Sequence, residues 1–385
     1  MLPLIDLDIF RQDPTSPEAL RQAHATADAL IRCGALIVKD SRVSDDANEQ
    51  FLDVMEDYDP TDSTLDFLHL QFAQSQEELL KDTRPEFHYQ AGATLESTEK
   101  PKCHSDASCQ AVIAALDPSE RPLDLEADKA DPKCRFFWRM GMPPPPERTS
   151  FGSMTIPNVI PAAFATTWES AMQEWGNIIR SAVSGVSEML AVGLGLPQDE
   201  FLRASTYGPH LLAPTATDLT RFGHLNSIFA GFHTDLNFLT IHGRSRYPGL
   251  HIWARNSGQK IEVKLPPGHL LVQAAKQLEH VTGGLILAGY HEVACTKRTL
   301  EATETRKRSA PERPFIRISS TFFHHLSSDY QMKPRELTGR MKLEPEWIEA
   351  QRASQISLPP VEYEEGQKVG TLVENELRHI ALKKD

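Results

Sequence analysis

The chain has 385 residues and carries 40 Lys and Arg against 53 Asp and Glu, a formal charge of −13. Its hydrophobic share of 40% excludes disorder of the whole chain and provides for a large core. The acidic balance argues against a nucleic-acid partner, because such binding depends on Lys and Arg that neutralise phosphates. Composition therefore favours a small-molecule partner.

The lack of a recognisable targeting signal and the pattern of cysteines together predict a cytoplasmic protein. No uninterrupted apolar run reaches the ~20 residues that span a bilayer. The N-terminus carries Asp6 and Asp8 where a signal peptide has an uncharged apolar stretch. The five cysteines are Cys33, Cys103, Cys109, Cys134 and Cys295. Because their number is odd and they are scattered, we expect reduced thiols in a cytoplasmic protein without membrane contact.

The first 60 residues predict alternating strands and helices. Strands are expected at 4–7 and 35–40, and helices at 18–32 and 45–56. Gly34 ends the first of these helices. Residues 60–160 are rich in proline and charge and show no clear pattern. We interpret Pro143–Pro146 within them as a rigid surface spacer.

A long helix and then a run of strands follow. Apolar residues three or four apart predict a helix over 161–195, which Gly193-Leu194-Gly195 closes as a C-terminal cap rather than a phosphate loop. Short β-like runs separated by Gly and Pro begin after Phe201. They are 227–232, 238–242, 249–253, 260–265, 269–274, 285–294 and 315–323. Such spacing predicts an antiparallel sandwich or barrel.

The last fifty residues return to helical and loop texture. Leu372, Val373, Leu377 and Ile380 form one apolar face of a terminal helix. We expect this face to pack on its own chain, with a dimer contact as the alternative. The oligomeric state is accordingly monomer or homodimer.

One His-x-Asp triplet lies at the junction of two β-like runs. Residues two apart on a strand or tight turn project to one side, so His233 and Asp235 can bind the same metal ion. His291, on a late strand, is the best candidate for the third ligand. Two His and one carboxylate leave three positions open, as in non-haem Fe(II) oxygenases.

A second triplet, His104-Ser105-Asp106, runs into a helix-like segment without alternation. With Cys103, Cys109 and Cys134 it could imitate a structural zinc site, but the Cys-x5-Cys spacing does not match short zinc motifs. We interpret these residues as ordinary loop residues.

A late strand supplies a cation for an anionic ligand. Arg317 and Ser319 are two residues apart, so both side chains point the same way. Arg offers a planar fork that matches a carboxylate, and Ser adds a hydroxyl donor. A structural salt bridge is the alternative for Arg317 alone, but an inward Arg beside a metal triad favours ligand binding.

These motifs together resemble the isopenicillin N synthase-like family of Fe(II)/2-oxoglutarate-dependent dioxygenases. The order is H-T-D, a distal His after 55 intervening residues, then R-x-S followed by two Phe. HTDLNFLTIHGRSRYPGLHIW and PPGHLLVQAAKQLEHVTGG are similar to the family's stretches around its metal ligands, and PLIDLD to its N-terminal region. The resemblance covers roughly residues 1–330.

The resemblance implies a mostly β fold with helices, a double-stranded β-helix or jelly-roll barrel. An N-terminal α/β region, a long supporting helix and a C-terminal helical tail would surround it. The expected division is 1–160 for the N-terminal dioxygenase-type region, 161–330 for the supporting helix and catalytic core, and 331–385 for the C-terminal helical extension.

The resemblance also implies the chemistry. Fe(II) would be bound by His233, Asp235 and His291, with 2-oxoglutarate and O₂ as co-substrates. Arg317 and Ser319 would bind the far carboxylate of 2-oxoglutarate. TYGPH at 206–210 resembles the family motif whose Tyr contacts the co-substrate carboxylate, which adds Tyr207 to the cofactor-binding residues.

The implied substrate is a small molecule, by analogy an amino acid or a secondary metabolite. Hydroxylation is the default reaction, and desaturation or cyclisation stay open. Two rivals remain: an Fe(II) oxidase of the same fold that does not use 2-oxoglutarate, and a non-catalytic ligand-binding barrel.

The chain departs from the family pattern in three places. Glu292 follows the distal His where the family usually has Arg, and Ala275-Lys276-Gln277 replaces a frequent Gly-Asp. The 25 residues between His291 and Arg317 are more than usual. We interpret 297–313 as a solvated loop, with a substrate lid or an interaction patch as alternatives. The extra length leaves open whether Arg313 competes with Arg317 for the anion role.

Overall fold

The computed structural model describes residues 1–56, 76–101, 103, 106–123, 130–333 and 366–379. Its strands are β1 (Leu4–Asp6), β2 (Ala35–Lys39), β3 (Gly92–Thr94), β4 (Cys134–Met140), β5 (His210–Asp218), β6 (Ile228–His233), β7 (Leu239–His242), β8 (Leu250–Trp253), β9 (Lys260–Glu262), β10 (His269–Ala274), β11 (Tyr290–Ala294) and β12 (Ile316–His324).

The helices are α1 (Leu7–Gln12), α2 (Pro17–Cys33), α3 (Asp45–Glu56), α4 (Gln76–Lys81), α5 (Ala107–Ala115), α6 (Trp168–Gly193), α7 (Glu200–Ala204), α8 (Leu219–Phe222), α9 (Lys276–Val281), α10 (Lys297–Ser309) and α11 (Val369–His379). Within the described ranges, none of them has the length and apolarity that crossing a bilayer requires.

The strands form two sheets. The large sheet has the order β1-β2-β10-β7-β12-β5-β4-β3, and the small sheet has the order β6-β11-β8-β9. The pairing of β1 with β2 is parallel, and the other pairs between these strands are antiparallel. Side chains of β12 in the large sheet and of β11 in the small sheet line one cavity, which therefore lies between the sheets.

The predicted long helix is confirmed as α6, which supports the large sheet from outside. Its buried face includes Trp168, Met172, Trp175 and Ile179, and it packs against α2 and against strands of the large sheet. Gly195 has a φ of 73°, a left-handed conformation that glycine adopts without strain, directly after the helix ends. The predicted capping role of this glycine pair is therefore consistent with the structure.

Three strands of the large sheet, β3, β4 and β5, have no counterpart among the predicted strands. Strand β5 lies between β12 and β4, and almost all its residues are buried, so it shows no alternation of polar and apolar residues. It also contains Pro214, a residue that argues against a central strand. The ladder to β4 is interrupted opposite Pro214, which has no N–H to donate.

The interpretation of 297–313 as a solvated loop is wrong for most of that segment. Residues 297–309 form helix α10. Its N-terminus is a capping box in which the side chains of Thr296 and Thr299 accept from each other's backbone N–H groups. This reciprocal cap satisfies two backbone donors that an isolated helix would leave free.

The C-terminal helix α11 packs on its own chain, as expected. Val369, Val373 and Leu377 are buried in the main core, and Leu372 packs against it. Ile380, the fourth residue of the predicted face, lies outside the described residues.

The expectation of five reduced thiols is wrong for Cys103 and Cys109, which form a disulfide. Their Cα atoms lie 5.2 Å apart, because the chain turns directly before α5, where the Asp106 side chain accepts from the Cys109 N–H. The zinc alternative loses two of its thiolates to this bond. His104 of the second triplet lies outside the described residues.

Candidate active site

The pairing of β6 with β11 brings His233, Asp235 and His291 together. His233, the last residue of β6, lies directly opposite His291 in the antiparallel ladder. Nε2 of each His lies 3.7 Å from Oδ1 of Asp235, and one ligand atom from each residue falls within 4.8 Å of the others. Three potential metal ligands therefore converge on one point.

Backbone carbonyls fix how the two imidazoles face this point. Nδ1 of His233 lies 2.6 Å from the carbonyl of Gly231, and Nδ1 of His291 lies 3.4 Å from the carbonyl of Gly289. A carbonyl only accepts, so each Nδ1 carries the proton and each Nε2 presents its lone pair to the centre. This is the tautomer that a metal ligand needs.

Asp235 is held by a side chain of β7 and by backbone N–H groups at the start of α9. The Thr240 hydroxyl donates to Oδ2 of Asp235 over 2.6 Å, which leaves Oδ1 toward the histidines. The N–H of Lys276 donates to the Asp235 carbonyl, and the N–H of Gln277 donates to that of Asn237. The segment Ala275-Lys276-Gln277, which departs from the family pattern, thus anchors the loop that carries the carboxylate.

The protonation states also suit a metal. Burial, together with the neighbouring His291, lowers the pKa of His233 to about 3. Burial raises the pKa of Asp235, but His291, His233 and the Thr240 hydrogen bond outweigh it and hold that pKa below its usual range. Neutral imidazoles and an ionised carboxylate are the forms that bind metal. Two His and one carboxylate with open positions fit non-haem Fe(II).

Arg317 and Ser319 share a cavity with the triad, here called the Arg317 cavity. Its walls include His233, Asp235 and His291 on one side and Arg317 and Ser319 of β12 on the other. The sequence prediction that these five residues lie close together agrees with this arrangement.

Arg317 is buried, with 6% of its surface exposed, and has no carboxylate partner among the described residues. Its Nε has no hydrogen-bond acceptor within that part of the chain. Burial lowers the pKa of Arg317 to about 10, and no charge on another residue offsets this shift. Thr217 and Thr215 face it from β5, at the register Arg317 to Thr217 and Ser319 to Thr215. A cation in this position calls for an anion from outside the chain.

A chain of hydrogen bonds orients the hydroxyl of Ser319. Nε2 of Gln273 lies 2.9 Å from Nε2 of His242, and an amide nitrogen only donates. Nδ1 of His242 therefore carries the proton and donates to the Thr321 hydroxyl 3.1 Å away. Thr321 in turn donates to the Ser319 hydroxyl over 3.3 Å, which leaves the Ser319 proton for a ligand.

His242 stays neutral in this chain, because burial lowers its pKa to about 3. No sequence motif marks Gln273, Thr321 or Thr240 as parts of the site. Alternation along β10 and β12 could have placed Gln273 and Thr321 on inward-facing positions, but no local signal marks the contacts between them.

A second cavity adjoins the triad and is called the α11 cavity because α11 forms part of its wall. It has a volume of about 140 Å³ and shares His233 and Asp235 with the Arg317 cavity. Besides Asp235, its charged lining residues are Glu99, Lys100, Asp131, Lys133, Arg135 and Glu376. Its apolar lining residues include Phe137, Leu211, Phe323, Val373 and Leu377. Polar and apolar groups thus surround the space in front of the triad.

Two other predicted residues lie elsewhere. Tyr207 precedes β5 and donates its backbone N–H to the Ser327 hydroxyl, at the opposite end of β5 from Thr217. It lines neither cavity, so the structure does not bring it to Arg317. Arg313 lies 3.6 Å from Asp53 and also lines neither cavity, which removes it as a competitor for the anion.

Solved structures with similar folds include oxygenases. A 2OG-Fe(II) oxygenase family protein from Caulobacter crescentus superposes with a TM-score of 0.66 at 19% identity, over 98% of this chain and 99% of that one. A full-length Neurospora crassa protein in complex with alpha-KG and thymine superposes with a TM-score of 0.64 at 18% identity, over 98% of this chain and 96% of that one. The Arabidopsis thaliana dioxygenase for auxin oxidation 1, solved with 2-oxoglutarate, superposes with a TM-score of 0.57 at 15% identity, over 89% of this chain and 99% of that one.

The chain therefore has the fold of the 2OG-Fe(II) oxygenases, a double-stranded β-helix with surrounding helices. No protein-family profile matches it. Among curated proteins, the 1-aminocyclopropane-1-carboxylate oxidases of Dictyostelium mucoroides and Dictyostelium discoideum are each 24% identical over 29% of this chain. The match spans 38% of the length of these relatives.

Proposed function

We propose that the protein is a non-haem Fe(II)/2-oxoglutarate-dependent dioxygenase that oxidises a small molecule, of the isopenicillin N synthase-like type. The observation that carries this proposal is the buried Arg317, which has no acidic partner among the described residues and lies in the same cavity as the His233, Asp235 and His291 triad. The fold comparisons support it, because similar structures were solved with 2-oxoglutarate.

Different residues of the chain would bind the metal and the co-substrate. His233, Asp235 and His291 would hold Fe(II), which when bound supplies the activation of O₂ that amino-acid side chains lack. Arg317 and Ser319 would bind the distal carboxylate of 2-oxoglutarate with a charge-assisted hydrogen bond and a hydroxyl donor. The proposed contact of Tyr207 with that carboxylate stays a prediction, and the position of Tyr207 does not favour it.

The primary substrate would occupy the α11 cavity, which reaches the triad and mixes apolar and charged side chains. Such a lining suits a small polar molecule with an apolar part. The Neurospora crassa protein binds thymine and 5-formyluracil, and a second neighbour acts in auxin oxidation. We propose hydroxylation of a metabolite of this size, an amino acid or a secondary metabolite included.

The test is formation of succinate by the Fe(II)-loaded protein with 2-oxoglutarate and a panel of small metabolites. Succinate above the uncoupled background identifies substrates. Arg317→Met should weaken 2-oxoglutarate binding by about 10–100-fold, because it removes a charge-assisted hydrogen bond worth ~1.5–3 kcal/mol. Fe(II) binding, measured by calorimetry, should stay unchanged in this variant.

Controls separate the alternatives. Arg203→Met, at an exposed position on α7, should change neither binding event. Substrate turnover that needs no 2-oxoglutarate would favour an Fe(II) oxidase of the same fold. Failure of the wild-type protein to take up Fe(II), with Asp235→Ala behaving identically, would instead favour a non-catalytic barrel.

A further inference from the structure

A third cavity adjoins the Arg317 cavity on its far side. Its walls come from the loop between β7 and β8, from 263–265 after β9 and from Arg298 at the start of α10, and we call it the β7–β8 cavity. It shares His242, Arg317 and Ser319 with the Arg317 cavity. It shares no lining residue with the α11 cavity. The three cavities therefore lie in series, and the Arg317 cavity is the middle one.

The β7–β8 cavity extends from solvent to Arg317. Lys264 is exposed, and the Arg298 side chain is 44% exposed, whereas Arg317 is 6% exposed. All three line the same space. An anion that enters beside Lys264 would meet Arg317 at the inner end.

The charged side chains that line this cavity are all cations: Arg244, Arg246, Lys264, Arg298 and Arg317. No acidic side chain of the described residues lines it. Arg244, Arg246 and Arg298 pair with carboxylates that are not part of this lining. Arg317 has no acidic partner among the described residues.

Two of these pairs show the arrangement. Asp45 lies 2.8 Å from Arg244, and Glu262 lies 3.0 Å from Arg298, yet neither carboxylate borders the cavity. In a chain with a formal charge of −13, this cavity presents a local positive surface that favours anions.

The α11 cavity differs in charge. Its lining places Glu99, Asp131 and Glu376 beside three cations, and Glu99 pairs directly with Arg135 and Lys133. This cavity therefore has no comparable attraction for a dianion.

We propose that the β7–β8 cavity is a separate entrance, by which 2-oxoglutarate reaches Arg317 and succinate leaves, while the primary substrate uses the α11 cavity. This inference rests on the proposed function. Lining cations steer the dianion and raise its association rate, and separate entrances allow both ligands to exchange independently of each other.

The first test obstructs each entrance in turn. Leu265→Trp places a large side chain in the β7–β8 cavity, and Gln90→Trp does the same in the α11 cavity. Binding of 2-oxoglutarate to the anaerobic Fe(II) protein is followed by stopped-flow absorbance of the metal-to-ligand charge-transfer band. Leu265→Trp should slow association and dissociation together by about tenfold and leave Kd unchanged, since only the path is obstructed. Gln90→Trp should leave both rates within twofold of wild type.

The second test changes charge. Lys264→Glu should lower the association rate several-fold at low salt, and the difference should vanish at high salt. Arg203→Glu makes the same charge change at an exposed site that lines none of these cavities, and it should have no effect. Equal slowing by the two Trp variants, or none with Leu265→Trp, would overturn the separate entrance. Absence of any 2-oxoglutarate binding to the wild-type protein would overturn the proposed function as well.

Discussion

Several residues around this site do not bind the metal themselves but fix which atom of a metal ligand faces the metal position. The carbonyl of Gly231 sets the tautomer of His233, and the Thr240 hydroxyl occupies one oxygen of Asp235 so that the other faces the histidines. Neither contact would touch a bound metal. Such supporting contacts tune metal affinity because they fix ligand orientation before the metal arrives.

Thr240→Val keeps the shape of the side chain and removes the hydrogen bond to Asp235. We expect Fe(II) affinity to fall about 10–100-fold, as measured by calorimetry, because the carboxylate is then free to rotate. Thr26→Val is the matched control, since Thr26 is equally buried and its hydroxyl donates within α2 to Gln22. Unchanged affinity in Thr240→Val would contradict the supporting role.

The hydrogen-bond chain that ends at Ser319 is testable with a double-mutant cycle. Thr321→Val removes the donor that directs the Ser319 hydroxyl, so we expect the Kd for 2-oxoglutarate to rise roughly three- to tenfold. In a Ser319→Ala background the same change should have almost no effect, because no hydroxyl is left to orient. Equal losses in both backgrounds would show that Thr321 acts independently of Ser319.

Among the secondary-structure elements, α11 joins a distant part of the chain to the site. Val373 and Leu377 contribute to the main core and also line the α11 cavity. The apolar pattern of the helix predicted that it packs on its own chain, but nothing in that pattern identifies the cavity at its end. Docking of α11 therefore couples stability of the C-terminal segment to the shape of the cavity.

Gly370 allows α11 to approach closely. A Cβ at this position would overlap the ring of Phe151, which is almost fully buried. We expect Gly370→Ala to destabilise the protein by about 1–3 kcal/mol through overpacking, which outweighs the ~0.5–1 kcal/mol that Ala gains over Gly in a helix. Denaturant unfolding measures the difference.

Gly152→Ala serves as the control, because a Cβ there meets no atom within 4 Å. Its unfolding midpoint should match that of wild type. If Gly370→Ala were as stable as Gly152→Ala, the close packing of α11 on Phe151 would be disproved.

At the scale of the whole molecule, a buried cluster of histidines makes stability depend on pH. Burial lowers the pKa of His324 and of His325 to about 3, and it lowers the pKa of His210 well below the ordinary value. The nearby cations Arg139 and Arg180 contribute to these lowered pKa values. Protonation of any of the three is therefore unfavourable in the folded state.

The direction of this pH dependence follows from proton binding in the folded and unfolded states. The unfolded chain takes up these protons near pH ~6.5. In the folded chain His324 and His325 do so only near pH 3 and His210 only well below 6.5, so stability is lost as pH falls below 6.5. Each histidine should cost about 1.4 kcal/mol at pH 5.5 relative to neutral pH. Urea unfolding of the metal-free protein at several pH values measures the slope.

His324→Phe isolates one member of the cluster. The His324 ring stacks on His210 at 4.4 Å, and neither of its nitrogens has a hydrogen-bond partner among the described residues. Phe preserves the stacking, so we expect stability at neutral pH to hold and the pH slope to fall by about one proton. A slope equal to that of wild type would show that His324 does not titrate on unfolding.

The division into 1–160, 161–330 and 331–385 stays a prediction. The sheet order shows that β1 and β2 from the first segment pair onto β10 from the second, and that β4 pairs with β5. Strands from both segments thus share one sheet.

The sequence by itself determined the parts that local spacing encodes. Residues two apart on a strand face one side, which is why His233 with Asp235, and Arg317 with Ser319, were identifiable before the fold. Helical periodicity likewise predicted α2, α3 and α6. These patterns can be recognised in the sequence because each involves residues that are only a few positions apart.

Only the tertiary structure decided the rest. It showed that β5 crosses the centre of the sheet despite Pro214 and that Tyr207 lies away from Arg317. It also showed that three cavities lie in series, two of which border the triad. The contacts of Gln273 with His242 and of α11 with the cavity join residues that are far apart in the chain. Such contacts arise from packing between elements, and no local spacing records them.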